Sequence, residues 1–434
     1  MQCMVNQIYR YFTNKKKSLL ENKVGNIMLK MHIIICASFI FQTTYCQPEI
    51  SNKDNFFLNI IEGKDSLVDQ VIRESSKYNF QLILSVYDYK NGKDTLYHFY
   101  LNRDQFYFSP ASLIKFPLAL IAAEKLTSLK NSHGVSINDS IAITTCSCDK
   151  STENYVRNTK PATFKQVYDE LFIMSNNSAY NLLFDFVGRD YANKRFHSMG
   201  FERIIMNNRF YGGCTDDENK KFGGISFYRN DQDKILALPC ETSSMNWNHD
   251  STWPNTAGRF QIQNRKIVAG AKKYTSGNYV SLTDAHLMLV EFIEDFHRPQ
   301  NQRKFNIDDE IRAMIFNAMG TFPSEMISSN YQTENLPDTY YKFFLEPKSM
   351  NASHEHLRIY NKVGIAGGYI SDVSFIEDKR IGLRYFLSGS MHAKKDGIVG
   401  NNNFSYYDIG IPAFRKIGEL VYKSLSGMEN QEEY

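Results

Sequence analysis

The sequence carries little net charge. Its 50 Lys and Arg residues nearly balance 47 Asp and Glu residues, which leaves a formal charge of +3 over 434 residues. The one tight basic run is residues 15–17. Tryptophan is scarce as well, with 2 Trp beside 27 Tyr and 31 Phe, and no basic residues interleave with the aromatic ones. This composition argues against a nucleic-acid partner and favours an ordinary globular protein.

The N-terminal apolar run is too short to cross a bilayer. Residues 33–41 are mostly apolar, whereas a spanning helix needs roughly 20 such residues. The run follows a basic segment and precedes Cys46, which predicts a secretory leader over residues 1–46. Translation could begin at Met28 or Met31. An uncleaved anchor and a lipid-modified Cys46 are the alternatives. We therefore expect an exported protein, periplasmic or extracellular, without a stable membrane span once the leader is removed.

Few cysteines follow this leader, and an exported destination changes how they are interpreted. The four are Cys146, Cys148, Cys214 and Cys240. An even number in an oxidising compartment is compatible with disulfides, but the sequence does not determine their pairing. A metal site is the alternative, and Cys-x-Cys without a nearby His or second close pair is a poor zinc signature. The stretch 354–356, His-Glu-His, is interpreted as a polar loop, so no metal is predicted.

The strongest chemical signal lies at residues 108–126. Ser112 precedes an apolar run rich in Leu, Ile and Ala, which predicts a buried helix that begins at or near Ser112. Lys115 lies one turn further, within reach of the Ser112 hydroxyl. The helix N-terminus would stabilise a developing anion, and burial would lower the pKa of the lysine toward that of a base. A second Ser-x-x-Lys, Ser147 to Lys150, has no apolar helix behind it and is interpreted as chance.

The apolar periods predict both helices and strands. The predicted helices cover residues 65–78, 164–174, 177–187, 282–296 and 307–318, with a last helix that begins near Pro412. The predicted strands cover residues 81–89, 95–101, 360–363, 369–376 and 381–388, the first two joined as a hairpin.

The order of these elements predicts two lobes. Because both chain ends supply strands, residues 60–108 and 346–430 would form one α/β lobe, and residues 109–345 would form a helical lobe inserted in it. The predicted fold class is α/β (α+β), an antiparallel sheet flanked by helices with an inserted all-helical lobe, in one domain over residues 50–430. A cleft between lobes is a common place for a small-molecule site.

Two further polar stretches follow Ser112 along the chain. Residues 174–181 join two predicted helices and place Ser175 and Asn177 on a turn between apolar faces. Residues 360–364 place Lys362 on an edge-like strand. Each pattern alone is weak, because Ser and Asn favour helix junctions and Lys commonly occupies an edge strand. Their order along the chain is what makes them informative.

At these residues the chain resembles the penicillin-recognising serine hydrolases, the superfamily of class A β-lactamases and penicillin-binding proteins. The three motifs of that superfamily correspond to Ser112-Leu-Ile-Lys115, Ser175-Asn-Asn177 and Lys362-Val-Gly364. The similarity reaches from about residue 60 to the C-terminus. It implies a β-lactamase-like fold and a small-molecule substrate, a β-lactam or a related peptide or ester.

The resemblance also implies a role for each motif residue. Ser112 would attack a carbonyl and form an acyl-enzyme, and Lys115 would accept or relay its proton. Ser175 would pass a proton to the leaving nitrogen. Asn177 would hold the substrate amide and help to keep Lys115 in place.

The third motif would bind the rest of the substrate. Lys362 would attract a substrate carboxylate, next to Gly364. The N–H groups of Ser112 and Ile365 would form an oxyanion hole, which contributes about 3–4 kcal/mol per donor in other hydrolases. The resemblance requires neither a metal nor an organic cofactor.

The chain departs from the superfamily pattern at three places. Val363 lacks the hydroxyl that helps to hold a substrate carboxylate. The Glu with a Leu-Asn pair that activates water for deacylation in class A enzymes is not found; Asp216, Asp217 and Glu218 could replace it, or they could form a solvated acidic loop. Residues 222–279 are additional, and could cap the cleft or be a surface elaboration.

The sequence therefore predicts an exported serine hydrolase of the β-lactamase type that acts on C–N bonds through a Ser112 acyl-enzyme. A D,D-peptidase or esterase on the same fold is the alternative. A penicillin-binding sensor that stays acylated is another, favoured by the missing Glu pattern. The true substrate and the oligomeric state are not predicted.

Overall fold

The computed structural model describes residues 54–88, 95–144, 146, 150–159, 162–210, 213–326 and 336–427. The predicted leader with Cys46 lies outside the described residues, as do Cys148, Ser147 and the hairpin turn at 90–94. Within the described ranges, no helix is both long and apolar enough to cross a membrane.

The α-helices of the described chain largely follow the predicted apolar periods. They are α1 (Asp54–Ile61), α2 (Ser66–Arg73), α3 (Ser75–Tyr78), α4 (Lys115–His133), α5 (Ser151–Asn158), α6 (Phe164–Ile173), α7 (Asn177–Val187), α8 (Arg189–Ser198), α9 (Asp216–Asn219), α10 (Leu282–Glu294), α11 (Asp309–Gly320) and α12 (Ile411–Ser426). The predicted helix over 65–78 is two helices, because the backbone of Glu74 (φ −100°, ψ 28°) leaves helical geometry between them.

The strands fall into one large sheet and several small ones. They are β1 (Gln81–Asp88), β2 (Thr95–Leu101), β3 (Ser140–Thr144), β4 (Ile204–Ile205), β5 (Lys221–Phe222), β6 (Gly224–Arg229), β7 (Asp233–Leu238), β8 (Glu241–Thr242), β9 (Thr256–Ala257), β10 (Phe260–Gln263), β11 (Lys266–Ala269), β12 (Lys272–Lys273), β13 (Tyr279–Val280), β14 (Leu357–Ala366), β15 (Tyr369–Asp378), β16 (Leu383–His392) and β17 (Ile398–Val399).

The large sheet joins the two ends of the chain. Its order is β14-β15-β16-β1-β2, and every neighbouring pair is antiparallel. The N-terminal hairpin pairs with the C-terminal meander through Leu84 opposite Leu387. This antiparallel sheet with helices around it confirms the predicted fold class. β14 is an edge strand of the sheet, as the sequence predicted for the strand that carries Lys362.

Both faces of the sheet are buried. Successive side chains of a strand point to opposite faces, and Phe386 and Leu387 accordingly belong to two different apolar clusters. The cluster around Phe386 includes side chains of α4, α6, α7 and α10, and the cluster around Leu387 includes side chains of α1, α2 and α12. The sheet is therefore the middle layer, with helices packed on each face.

The inserted lobe over residues 109–345 is not all-helical as predicted, because the strands β3 to β13 lie within it. β3 pairs with β6, and β6 pairs with β7, so these strands form a three-stranded sheet. A disulfide between Cys146 and Cys240 joins the chain just after β3 to the chain just after β7. Cys214 is disulfide-bonded as well. The disulfide alternative is thus confirmed for these three cysteines, and the part of the chain that the structure describes contains no group of three or more metal-ligating side chains.

Candidate active site

The turn that carries Ser112 is held in an unusual backbone conformation. A 3-10 helix, Ala111–Ile114, precedes α4, and Ala111 at its start has a φ of +45°. Residues other than glycine rarely adopt such values, and where they do the site is often functional. Ser112 consequently lies at the beginning of a long buried helix, as the sequence predicted, and it lines a cavity of about 410 Å³.

Lys115 begins α4 and is fully buried. Its Nζ donates to Asn177 Oδ1 at 2.5 Å, to the backbone oxygen of Ser175 and to Ser175 Oγ at 3.3 Å. The ring of Phe210 lies 4.8 Å from the same nitrogen. Burial lowers the pKa of Lys115 well below its usual value, and the nearby positive charge of Lys362 lowers it further. A lysine in this setting can exist as the neutral amine that a proton acceptor requires.

The second motif lies on a tight turn between α6 and α7. Ser175 has a φ of +52°, and the side chain of Asn176 caps α7 by accepting from the N–H groups of Ser178 and Ala179. Asn176 Nδ2 donates to Glu170 Oε2 at 2.9 Å. The middle residue of the motif therefore fixes the turn, and Ser175 and Asn177 on either side of it face Lys115.

Lys362, on the edge strand β14, contacts the same serine, Ser175. Its Nζ donates to Ser175 Oγ at 2.8 Å, and only 2% of the lysine is exposed. Ser175 Oγ therefore accepts from two lysines, Lys362 and Lys115, which its two lone pairs permit. Burial lowers the pKa of Lys362 to about 7, with the Asp372 carboxylate opposing the shift and the Lys342 cation adding to it.

Gly364 lets β14 pass directly against the nucleophile turn. A β-carbon at this position would lie 2.3 Å from the backbone oxygen of Pro110 and 2.7 Å from Ser371 Oγ. Any side chain would therefore force the strand away from the turn. The residue that follows, Ile365, lines the same cavity as Ser112, which is the arrangement that an oxyanion hole built from their N–H groups needs.

The cavity gathers most of the predicted site residues. Its lining consists of Ser112, Met174, Ser175, Asn176, Asn177, Ser178, Tyr341, Val363 and Ile365. A larger cavity of about 590 Å³, lined in part by Arg73, Tyr107 and Arg259, contains none of the predicted site residues. We place the candidate site in the smaller cavity because the three motifs converge there.

The carboxylates considered for water activation are engaged on the surface. Asp216 pairs with Arg189 at 3.0 Å, Asp217 pairs with Lys220 at 2.8 Å, and Glu218 accepts from the N–H of Thr215 in a capping box. None of them is among the residues that line the cavity. These contacts agree with the interpretation of a solvated acidic loop, and the side chain that the preceding loop presents to Lys115 is the ring of Phe210.

Two residues near the site were not predicted. Phe210 contacts Lys115, and Tyr341 lines the cavity with its ring 5.5 Å from Lys362 Nζ. Neither residue belongs to a short motif, and neither lies in a segment with a regular apolar period. The abundance of Tyr and Phe in the sequence was the one signal, and it did not point to these positions.

Residues 66–250 match the sequence profile of the family described as the beta-lactamase enzyme family (Beta-lactamase2). This match confirms the predicted resemblance to the serine β-lactamase and penicillin-binding protein superfamily. It also confirms the predicted enzyme class, a β-lactamase-like serine hydrolase that acts on C–N bonds. No curated protein sequence matches the chain.

Several solved structures are similar to the chain at low identity. A β-lactamase from Sphaerobacter thermophilus DSM 20745 is 13% identical, with 84% of this chain and 98% of that one covered and a TM-score of 0.47. The structure of PBP-A is 13% identical, with 84% of this chain and 97% of that one covered and a TM-score of 0.45. A β-lactamase from Xanthomonas campestris pv. campestris str. ATCC 33913 is 12% identical, with 86% of this chain and 98% of that one covered and a TM-score of 0.46.

Proposed function

Because residues 66–250 match the β-lactamase enzyme family, we propose that this serine hydrolase is exported and forms an acyl-enzyme through Ser112 on a β-lactam or a related amide. The observation that carries the proposal is the convergence of Lys115 and Lys362 on Ser175 Oγ, at 3.3 and 2.8 Å, beside the cavity that Ser112 lines. Two buried lysines at one hydroxyl are electrostatically costly while both are charged, which favours the neutral form of one of them, and such an arrangement is typical of a functional site.

In the proposed reaction, each residue of the site has a defined role. Ser112 Oγ attacks the amide carbonyl while Lys115, as the neutral amine, accepts its proton, and the N–H groups of Ser112 and Ile365 stabilise the oxyanion. Ser175, which contacts both lysines, passes its proton to the leaving nitrogen as the C–N bond breaks and receives the proton that Lys115 took from Ser112. Water then attacks the ester carbonyl, the bond between the acyl carbon and Ser112 Oγ breaks, and one proton of the water passes to Ser112 Oγ as the carboxylic acid is released.

A second candidate is a protein that acylates and remains acylated. Two observations favour it. Phe210 contacts Lys115, and no carboxylate is among the described residues that line the cavity. Without a base positioned to activate water, hydrolysis of the ester would be slow. A D,D-peptidase or an esterase would use the same Ser112 chemistry on a different acyl donor.

The test is a time course of covalent labelling by a fluorescent penicillin, with Ser112→Ala as the control. Label on the wild-type protein that appears and then disappears within minutes supports the hydrolase, and label that persists supports the second candidate. No label on a folded wild-type protein would contradict action on β-lactams, and acyl-D-alanine peptides and small esters would then be compared as acyl donors.

A further inference from the structure

One wall of the candidate cavity is aromatic and comes from outside the three motifs. Tyr341 ends a 3-10 helix, Asp338–Tyr341, and is the one aromatic side chain among the described residues that line the cavity. Its ring lies 5.5 Å from Lys362 Nζ and 4.3 Å from the ring of Tyr340, which is 43% exposed. The wall therefore stands beside the cation that would attract a substrate carboxylate.

The buried residue Lys342, next to Tyr341 in the chain, fixes the position of this wall. Lys342 is 5% exposed, and its Nζ donates to the backbone oxygens of Met319 at 2.7 Å and Ile359 at 2.8 Å and to Asn361 Oδ1 at 2.7 Å. Three acceptors satisfy the three N–H groups of the ammonium. The residue that follows Tyr341 is thus tied to α11 and to the edge strand β14.

Asn361 and Asp372 complete the attachment. Asn361 Nδ2 donates to the backbone oxygen of Tyr341 and to Asp372 Oδ1, each at 2.8 Å. Asp372 Oδ2 accepts from the N–H of Phe343 at 3.0 Å. The backbone is therefore bonded to the sheet on both sides of Lys342, and moving the wall would leave buried charged groups without partners, which is costly.

We propose that Tyr341 is a specificity-determining residue, and that Lys342, Asn361 and Asp372 are its positioning residues. Tyr341 offers an apolar face immediately beside Lys362, so it selects substrates in which a planar or apolar ring adjoins the carboxylate on the leaving-group side. This inference rests on the proposed function, because it assumes that Ser112 is acylated in this cavity.

The test compares two β-lactams that differ beside their acidic group. One is a bicyclic penicillin, in which an apolar ring carries the carboxylate, and the other is a monocyclic β-lactam with its acidic group directly on the ring nitrogen. For the penicillin, Tyr341→Ala should raise the half-saturating concentration for acylation about tenfold, because it removes the aromatic contact. The limiting acylation rate should stay within about twofold, as expected for a group that contributes binding alone. Tyr341→Phe, which keeps the ring, should match the wild type.

The monocyclic compound supplies the contrast. Its half-saturating concentration should change by less than about twofold in Tyr341→Ala, because no ring adjoins its acidic group. Equal changes for both compounds, or no change for either, would overturn the inference. A wild-type protein that is not acylated by either compound would instead contradict the proposed function.

Lys342→Met tests the positioning role, with thermal unfolding as a check that the variant is folded. A folded variant should show the same change in half-saturating concentration as Tyr341→Ala, and the same preference between the two compounds. A folded variant with wild-type half-saturation would overturn the positioning role. If the variant does not fold, Asp372→Asn, which keeps the shape of the side chain, replaces it under the same criteria.

Discussion

The two sides of the candidate cavity differ in where their charged side chains lie. On the side of the three motifs, Lys115 and Lys362 are buried and meet at one hydroxyl of Ser175. On the side of the loop after α8, the acidic residues are solvated and paired on the surface, and an aromatic ring contacts Lys115. The groups that favour acylation are therefore concentrated at the site, while the groups considered for deacylation lie away from it.

This contrast predicts that the two half-reactions can be separated by mutation. Changes on the lysine side should slow acylation and leave deacylation little changed, and changes on the loop side should do the reverse.

The largest expected effect is that of Lys115→Met. The variant keeps an apolar stem of similar length in the buried site but removes the amine that accepts the Ser112 proton. The acylation rate should fall about 10²–10⁴-fold, the usual contribution of a general base. Stopped-flow labelling with a fluorescent penicillin measures it, with circular dichroism as the folding control. An acylation rate within threefold of the wild type would contradict the role of Lys115.

The second prediction concerns how the acylation rate depends on pH through the charge of Lys362. Burial lowers the pKa of Lys362 to about 7, so this lysine loses its positive charge as the pH rises above that value. Acylation by a substrate with a carboxylate should then decrease about tenfold per pH unit, because it follows the protonated fraction. As the pH rises toward the lowered pKa of Lys115, the rate should increase, because the neutral form of this lysine accumulates.

A substrate without a carboxylate is the matched control for this profile. Its acylation should keep the rising limb, which reflects Lys115, and lose the falling limb, which reflects attraction by Lys362. The same falling limb for both substrates would contradict the role of Lys362 in binding the carboxylate.

The smallest expected effect is on the loop side, where Phe210→Glu would place a carboxylate next to Lys115. The N–H and backbone oxygen of Phe210 bond to the side chain of Asn181, so the position should be kept when the side chain changes. Deacylation should increase about tenfold or more if the missing group is a base for water. Release of label after removal of free penicillin measures this rate.

A matched control changes the native carboxylates of the loop instead. The triple variant Asp216→Asn, Asp217→Asn, Glu218→Gln should deacylate within about twofold of the wild type, because these groups pair on the surface rather than at the cavity. A large loss in this variant would mean that the loop carries the base and that the contrast between the two sides is wrong.

The parts of the fold that follow local rules could be predicted from the sequence. The apolar run after Ser112 and the strands of the N-terminal hairpin have short-range causes, and the structure contains both. The edge position of Lys362 followed from the same local pattern. These signals depend on neighbours a few residues apart, which a sequence displays directly.

Other features depend on contacts between distant residues. The pairing of β3 with β6, the choice of Cys240 as the partner of Cys146, and the approach of Phe210 and Tyr341 to the two lysines all join segments far apart in the chain. No local pattern specifies such contacts, and four cysteines alone allow three connectivities. The backbone conformation of Ser175 was also missed, since a positive φ at a residue other than glycine has no dependable sequence signal.

The most direct test of Ser112 as the nucleophile is intact-mass spectrometry of the protein after exposure to a penicillin, followed by peptide mapping. We expect an adduct of one penicillin per chain, located on Ser112 and absent from a folded Ser112→Ala variant. An adduct on another residue, or one that persists in Ser112→Ala, would contradict the assignment of Ser112 as the nucleophile.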